Sequence, residues 1–209
     1  MNIIGIDTSL THTGWCVLND KGKVLASGVI KSSPVGDRPE DELLRIQKIV
    51  ATLDFYCDDF NPNYMVIEGL AFSARNSTAL VQLSALNYMT RAMATSWGMN
   101  FLVVAPTSLK KFITGSGKGD KDQMQMQIYK NYGFEAKDNN EADGYALALV
   151  GLAHFGKPLK KLNVAQKEVI SLLVKQHGKT TLNQSKNIQG RVEEDKKGTS
   201  STTRRKSKA

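Results

Sequence analysis

The order in which strand-like and helical segments follow one another constrains this chain more than any single motif does. Short apolar segments over residues 2–7, 13–19 and 23–31 are joined by turn-like connections, which predicts an antiparallel meander. Apolar residues then recur at helical spacing from Asp37 to about Cys57, with acids gathered near the start. The chain therefore begins with three paired strands and continues into a long helix.

The rest of the chain alternates between strands and helices. Further strands are predicted for YMVIE, which ends at Glu68, and for NFLVV, which Pro106 stops, and helices are predicted over 77–97, 119–131, 141–155 and 164–176. Because helical crossovers separate the later strands, the five strands should form one mixed sheet with helices on its faces. This is the order of an α/β, ribonuclease H-like fold.

Three carboxylates adjoin segments that this fold would bury. Asp7 follows NIIGI, Glu68 follows YMVI, and Asp143 lies in the first turn of an almost wholly apolar helix. A buried charge is costly unless it is paired or bound to a cation, and carboxylate oxygens are ligands of hard ions such as magnesium. If the first and fourth strands are neighbours, Asp7 and Glu68 emerge at the same edge of the sheet. The alternative is structural, with Asp143 or Glu141 stabilising a helix N-terminus.

The opening IGIDTSLTHTGW also fits the phosphate-binding loop of an actin-like ATPase. Such folds close two duplicated lobes around a nucleotide, whereas 209 residues suit one sizeable domain. We find no second phosphate-loop repeat. The ATPase interpretation is therefore disfavoured.

A basic, glycine-rich stretch, APTSLKKFITGSGKGDKDQM, follows the predicted fifth strand. Lys110, Lys111, Lys118 and Lys121 surround its glycines, and lysines with backbone amides on a flexible loop suit contacts to nucleic-acid phosphates. The spacing of a P-loop is absent. The alternative is a solvated turn that leads into a helix.

The segment EGLAFSARNSTALVQL places Phe72 in a predicted loop beside Arg75, close to Glu68. An exposed aromatic side chain near a metal site can stack on bases or wedge between them. The alternative is that Phe72 packs beneath its own loop.

Taken together, these residues resemble the RuvC family of Holliday junction resolvases. The matching pieces stand in the family's order: IGIDTSLTHTGW, VIEGLAFSARNSTAL, APTSLKKFITGSGKGDKDQM and NEADGYALALVGLAHF. The resemblance covers about residues 1–155, and the third piece is the most specific. The chain looks like a phage-encoded or otherwise divergent member.

The resemblance implies a homodimer that binds four-way DNA junctions in recombination and repair and cuts two strands symmetrically. It implies Mg²⁺ as the cofactor, with Mn²⁺ able to substitute, held by acids at the positions of Asp7, Glu68 and Asp143. Where the family has a fourth acid, three residues before the last one, this chain has Asn140. Glu141 is the preferred stand-in, with Asp138 as the other candidate.

The same resemblance matches basic DNA contacts to Lys110 or Lys111 and to Lys118 or Lys121, and it matches Phe72 to an aromatic residue near the junction centre. The expected reaction is two-metal phosphodiester hydrolysis with Asp7 bridging the ions. Two alternatives stay open: a related nuclease acting on forks, flaps or structured RNA, and a junction-binding protein that does not cleave.

Charge and composition indicate the domain limits, the cellular location and the state of the cysteines. The net charge is +8, much of it in a segment from residue 179 to 209 that reads as a disordered basic tail, after a nuclease domain over 1–178. No apolar run is long enough for a membrane span and no leader precedes the first strand, so we expect a cytoplasmic protein in a bacterial or phage-infected cell. Cys16 and Cys57 lack metal-site spacing and are expected to be reduced and structural.

Overall fold

A five-stranded sheet with helices on both faces organises the chain. The computed structural model describes residues 1–70, 78–118 and 121–178, and for Lys121 the backbone alone. Its elements are, in chain order, β1 (Asn2–Asp7), β2 (His12–Asn19), β3 (Val24–Lys31), α1 (Pro39–Phe60), β4 (Tyr64–Glu68), α2 (Thr78–Ser96), β5 (Asn100–Val104), α3 (Pro106–Thr114), α4 (Lys121–Tyr132), α5 (Asn139–His154) and α6 (Val164–His177).

The sheet is mixed, with the strand order β3-β2-β1-β4-β5. β1, β2 and β3 pair antiparallel, while β1 pairs parallel with β4 and β4 pairs parallel with β5. The antiparallel opening and the mixed five-stranded sheet predicted from the sequence are thus confirmed. The predicted tail, residues 179–209, lies outside the described residues.

Alternating side chains of the strands build two hydrophobic cores, one on each face of the sheet. Ile3 and Val66 belong to the core that α5 covers, whereas Ile4 and Met65 belong to the core under α1 and α2. Because side chains alternate along a strand with a period of two, every second residue of β1 and β4 faces α5. Asp7 and Glu68 fall on that face.

The sequence suggested a flexible loop for the basic stretch after β5, but the stretch contains a helix. Pro106 does not only stop β5: it is the first residue of α3, where a missing N–H costs nothing and the fixed φ suits a helix. Leu109, Phe112 and Ile113 are buried and anchor this helix. Gly115, at a φ of 82°, ends it and donates its N–H to the carbonyl of Lys111.

Helix α6 packs against α3 and against β5, which is an edge strand. The Nε2 atom of His177 lies 3.4 Å from the backbone nitrogen of Val103 and 3.3 Å from its carbonyl oxygen. Glu168 pairs with Lys111 at 2.5 Å. The helix ends at His177, one residue beyond the predicted range, and the N–H of the following Gly178 is donated to the carbonyl of Val174.

The two cysteines are buried and free, as expected, one in each core. Burial raises the pKa of both thiols, that of Cys57 to about 12. Both groups are therefore protonated, structural side chains. Within the described residues, no helix combines the length and apolar character that crossing a membrane requires.

His154, in the last turn of α5, is a polar residue whose ring is buried without hydrogen bonds. Neither of its ring nitrogens has a hydrogen-bond partner among the described residues. Burial, with a smaller contribution from the nearby His177, lowers the pKa of His154 below its ordinary value. The folded protein thus resists a protonation that the unfolded chain accepts.

We predict that His154→Leu raises the free energy of unfolding at pH 7.5 by about 1 kcal/mol, because two unsatisfied buried nitrogens are removed. As pH falls below about 6.5, the unfolded chain gains a proton at His154 and the wild type loses stability that the variant keeps. Urea unfolding at pH 7.5 and 5.5 measures both effects. Equal pH dependence in the two proteins would contradict this assignment.

Candidate metal centre

Asp7 and Glu68 end two neighbouring strands. β1 and β4 pair parallel with Ile6 opposite Ile67, so the next residues along the two strands are Asp7 and Glu68. Neighbouring strands lie about 4.8 Å apart. Both carboxylates therefore leave the sheet at the same edge and on the same face.

Helix α5 comes unusually close to that face. A Cβ atom on Gly14 would overlap the backbone of Asn140, one on Gly5 would overlap the carbonyl of Gly144, and one on Gly144 would lie 2.8 Å from Cα of Trp15. Gly14 is also the strand partner of Asp7. The first turn of α5 is thus in contact with the end of the sheet where Asp7 lies.

Asp143 lies in the second turn of α5 and not in the first as predicted, because the helix begins at Asn139, two residues earlier than expected. It directly precedes Gly144, which contacts the strands. Asp143 is 8% exposed and Asp7 is 7% exposed, while Glu68 is half-buried. The structure therefore brings Asp7, Glu68 and Asp143 to one edge of the sheet, as the sequence predicted for the two strands.

Glu141 lies on a different flank of the same helix. Positions 141 and 143 are about 200° apart around an α-helix. The Oε1 atom of Glu141 accepts a hydrogen bond from Ser27 Oγ at 2.8 Å, and Oε2 accepts one from the backbone N–H of Lys137 at 2.6 Å. Ser27 is on β3, two strands away from β1. Both oxygens of this carboxylate, which is 2% exposed, bind groups of the fold.

Asp138 and Asn140, the other two positions considered for a fourth acid, also have structural contacts. Asp138 is the N-cap of α5, and its Oδ1 accepts the backbone N–H groups of Asn140 at 2.9 Å and Glu141 at 3.0 Å. Asn140 carries no charge, and its backbone packs on Gly14. Among the described residues, Asp7, Glu68 and Asp143 thus lie at the sheet edge, whereas Glu141 lies beside β3.

Asn87 of α2 joins the two segments that follow β1 and β4. It is fully buried, and its Nδ2 atom donates to Thr8 Oγ1 at 3.0 Å and to the carbonyl oxygen of Glu68 at 2.9 Å. One side chain thus fixes the residue after Asp7 relative to the backbone of Glu68. Asn87 was not predicted from the sequence, although an asparagine in the buried row formed by Leu86, Thr90 and Met93 is unusual.

The connection between β1 and β2 is a hydrogen-bonded turn. Thr13 Oγ1 donates to the carbonyl of Ser9 at 2.6 Å and accepts from the N–H of Ser9 at 3.2 Å. The hydroxyl groups of this stretch thus serve the turn itself, in agreement with its predicted role of leading the chain into β2.

The three acids do not form a closed ligand shell. Leaving aside residues 71–77, 119–120 and those beyond 178, no group of three or more His, Cys, Asp and Glu side chains converges closely enough to hold a metal ion. The acids share an edge and a face, and the donor chemistry is that of carboxylate oxygens, which suits magnesium.

The predicted DNA contacts divide into three groups. Phe72 and Arg75 lie outside the described residues, as does the side chain of Lys121. Lys111 is engaged by Glu168. Lys110, on α3, has no ion-pair partner in the described part of the chain, and Lys118 is exposed in the turn after α3.

Known proteins share both the sequence and the fold. The family model described as "Crossover junction endodeoxyribonuclease RuvC" matches residues 3–153. A protein of that name from Parvibaculum lavamentivorans is 29% identical over 169 residues, which are 79% of this chain and 93% of the relative. One from Orientia tsutsugamushi (strain Ikeda) is 30% identical over 131 residues, 61% of this chain and 79% of the relative.

The structure of Thermus thermophilus RuvC superposes with a TM-score of 0.62 at 22% identity, covering 75% of this chain and 98% of that one. The same protein in complex with a Holliday junction substrate also gives a TM-score of 0.62, at 23% identity, covering 74% and 92%. At this identity the likeness concerns the fold, and the family model, which spans most of the chain, decides the classification. The chain belongs to the RuvC family of crossover junction endodeoxyribonucleases.

Proposed function

We propose that this protein is a magnesium-dependent endonuclease that resolves four-way DNA junctions. The observation that carries the proposal is the pairing of β1 with β4, which sets Asp7 beside Glu68 on the face that α5 covers with Asp143. Family membership supports the junction as substrate. Such an enzyme works where cellular or phage DNA is accessible, which suits the bacterial cytoplasm.

In this proposal Asp7, Glu68 and Asp143 hold the cation. Bound there, magnesium supplies Lewis-acid activation of water and of the scissile phosphate. Glu141 is a structural carboxylate, because its two oxygens already bind Ser27 and Lys137. Asn87 is a positioning residue, because its side chain donates to Thr8, which follows Asp7, and to the backbone carbonyl of Glu68. Its amide is uncharged and is not proposed as a metal ligand.

Basic residues beside the site neutralise DNA phosphates. Val104, the last residue of β5, is the strand partner of Glu68, and α3 begins two residues later. Lys110 and Lys118 therefore belong to the segment that leaves the sheet at the edge carrying the acids. The segment beyond residue 178 adds nine Lys or Arg residues against three acids. We expect this segment to strengthen DNA binding in a salt-dependent manner.

We further propose that the active form is a homodimer. A four-way junction has approximate two-fold symmetry, and two copies related by a two-fold axis present two equivalent sites to it. Each copy then makes one of two paired cuts.

A junction-binding protein that does not cleave is the second candidate. Two observations favour it: Asn140 stands where the family has an acid, and no closed ligand shell is present among the described residues.

We predict that wild-type protein cuts a synthetic four-way junction in Mg²⁺ and that Asp7→Asn slows cleavage at least about 100-fold, since loss of outer-sphere groups alone commonly costs 10- to 100-fold. Junction binding without divalent ions should be unchanged. Gel assays on junction, fork and RNA hairpin substrates measure rate and selectivity. Cleavage by the variant at the wild-type rate would remove Asp7 from the site.

A cruciform plasmid extends this assay to the paired cuts. Dimers with one wild-type and one Asp7→Asn subunit should release nicked circles, whereas wild type should release linear product. If wild type binds the junction tightly but gives no product in Mg²⁺ or Mn²⁺, the non-cleaving alternative is correct.

Glu141→Gln and Asp143→Asn should behave differently. The glutamine can still accept from the Lys137 N–H and donate to Ser27, so we expect cleavage within about threefold of wild type and a stability change below about 1 kcal/mol. Asp143→Asn should lose Mn²⁺ binding, measured by calorimetry, together with cleavage. Loss of Mn²⁺ binding in Glu141→Gln would identify that residue as a ligand.

Asn87→Leu should raise the Mg²⁺ concentration for half-maximal cleavage about tenfold, as expected when a group that orients ligands is lost. Thr90→Val is the matched control, because Thr90 is equally buried on α2 but its hydroxyl donates within its own helix, to the carbonyl of Leu86. Both variants should lose stability, and only the first should change the Mg²⁺ dependence. Parallel shifts in both variants would reduce Asn87 to a packing role.

A further inference from the structure

A cavity opens between α2, the ends of β4 and β5, and α6. Its volume is about 400 Å³, within the range of sites that take small organic groups. Its lining comprises Gly69, Leu70, Tyr88, Arg91, Val103, Ala105, Gln176 and His177. Because Gly69 and Leu70 directly follow Glu68, the cavity borders the edge of the sheet that carries the candidate metal centre.

Arg91 is the cation in this lining. Its guanidinium carbon lies 4.8 Å from the centre of the Tyr88 ring, which orients the group by a cation–π contact. Its Nε atom is buried and has no hydrogen-bond partner in the part of the chain that the structure describes, and no described carboxylate pairs with it. A desolvated guanidinium donor without an acceptor calls for an anionic ligand.

Helix α6 completes the cavity and adds polar groups. Gln176 is exposed at its rim, and the ring of His177 is held against the backbone of Val103. The helix ends at His177, whose side chain belongs to the lining.

We propose that this cavity binds a backbone phosphate of the DNA strand that enters the metal centre, with Arg91 as the phosphate ligand and Gln176 as a polar neighbour. Arginine presents several N–H donors in a planar fork that suits phosphate oxygens. The proposal rests on DNA being the substrate, as put forward above. It gives α6, which lies beyond the matched residues 3–153, a part in substrate binding.

The test is binding of full-length protein to a labelled four-way junction without divalent ions, between about 50 and 200 mM salt. Arg91→Ala should weaken binding about tenfold at the lower salt and reduce the slope of log affinity against log salt by about 0.9, the value for one phosphate contact. Arg91→Lys should restore most of the slope. Lys48→Ala, which removes an exposed charge from α1, is the matched control and should change neither value.

Junctions with a single neutral methylphosphonate near the cut site locate the contact. One position should weaken wild-type binding and leave Arg91→Ala unaffected, the coupling expected of two groups in contact. Equal affinity and slope for wild type and Arg91→Ala would overturn the subsite while junction cleavage by wild type still supports the proposed function. A lower dimer fraction for Arg91→Ala in sedimentation would also overturn it, because the cavity would then seat a second copy.

Discussion

The close contact between α5 and the sheet is the constraint on which the candidate centre depends. Gly5 and Gly14 on the strands and Gly144 on the helix leave no room for a Cβ atom at the contact. Side chains at these positions would push the helix away from β1 and β2 and would carry Asp143 away from Asp7. The glycines therefore act on the site through helix position, without any polar group of their own.

The same contact determines which surroundings the two buried acids of α5, Glu141 and Asp143, have. Gly144 of α5 faces the sheet, so the two flanks of the helix point in opposite directions. One flank faces β3, and the other faces the ends of β1 and β4, where Asp7 and Glu68 lie. Glu141 is compensated by two hydrogen bonds from the fold. Asp143 lies with the acids that end parallel strands, where a hard cation can offset their mutual repulsion. Two carboxylates that are two residues apart are thus compensated differently, Glu141 by hydrogen bonds and Asp143, in our proposal, by a cation.

Much of this arrangement follows from local sequence patterns. Strand periodicity and short turns predicted the antiparallel opening, and the element order predicted the mixed sheet, which in turn placed Asp7 near Glu68. Helix α3 was not predicted, because Pro106 follows β5 and also begins the helix, and a proline after a strand indicates only the end of that strand. The partners of Glu141 and Asn87 could not be predicted, because Ser27 and Thr8 are 114 and 79 residues away in sequence. Local patterns carry no information on such distant contacts.

We infer that the edge formed by Asp7, Glu68 and Asp143 binds the catalytic metal and that Glu141 does not. Anomalous scattering from crystals containing Mn²⁺ measures this directly. We expect a peak at about 2.2 Å from oxygens of at least two of the three edge acids, with the Glu141 carboxylate still bonded to Ser27 and Lys137. A peak coordinated by Glu141, or metal binding only at another surface, would contradict it.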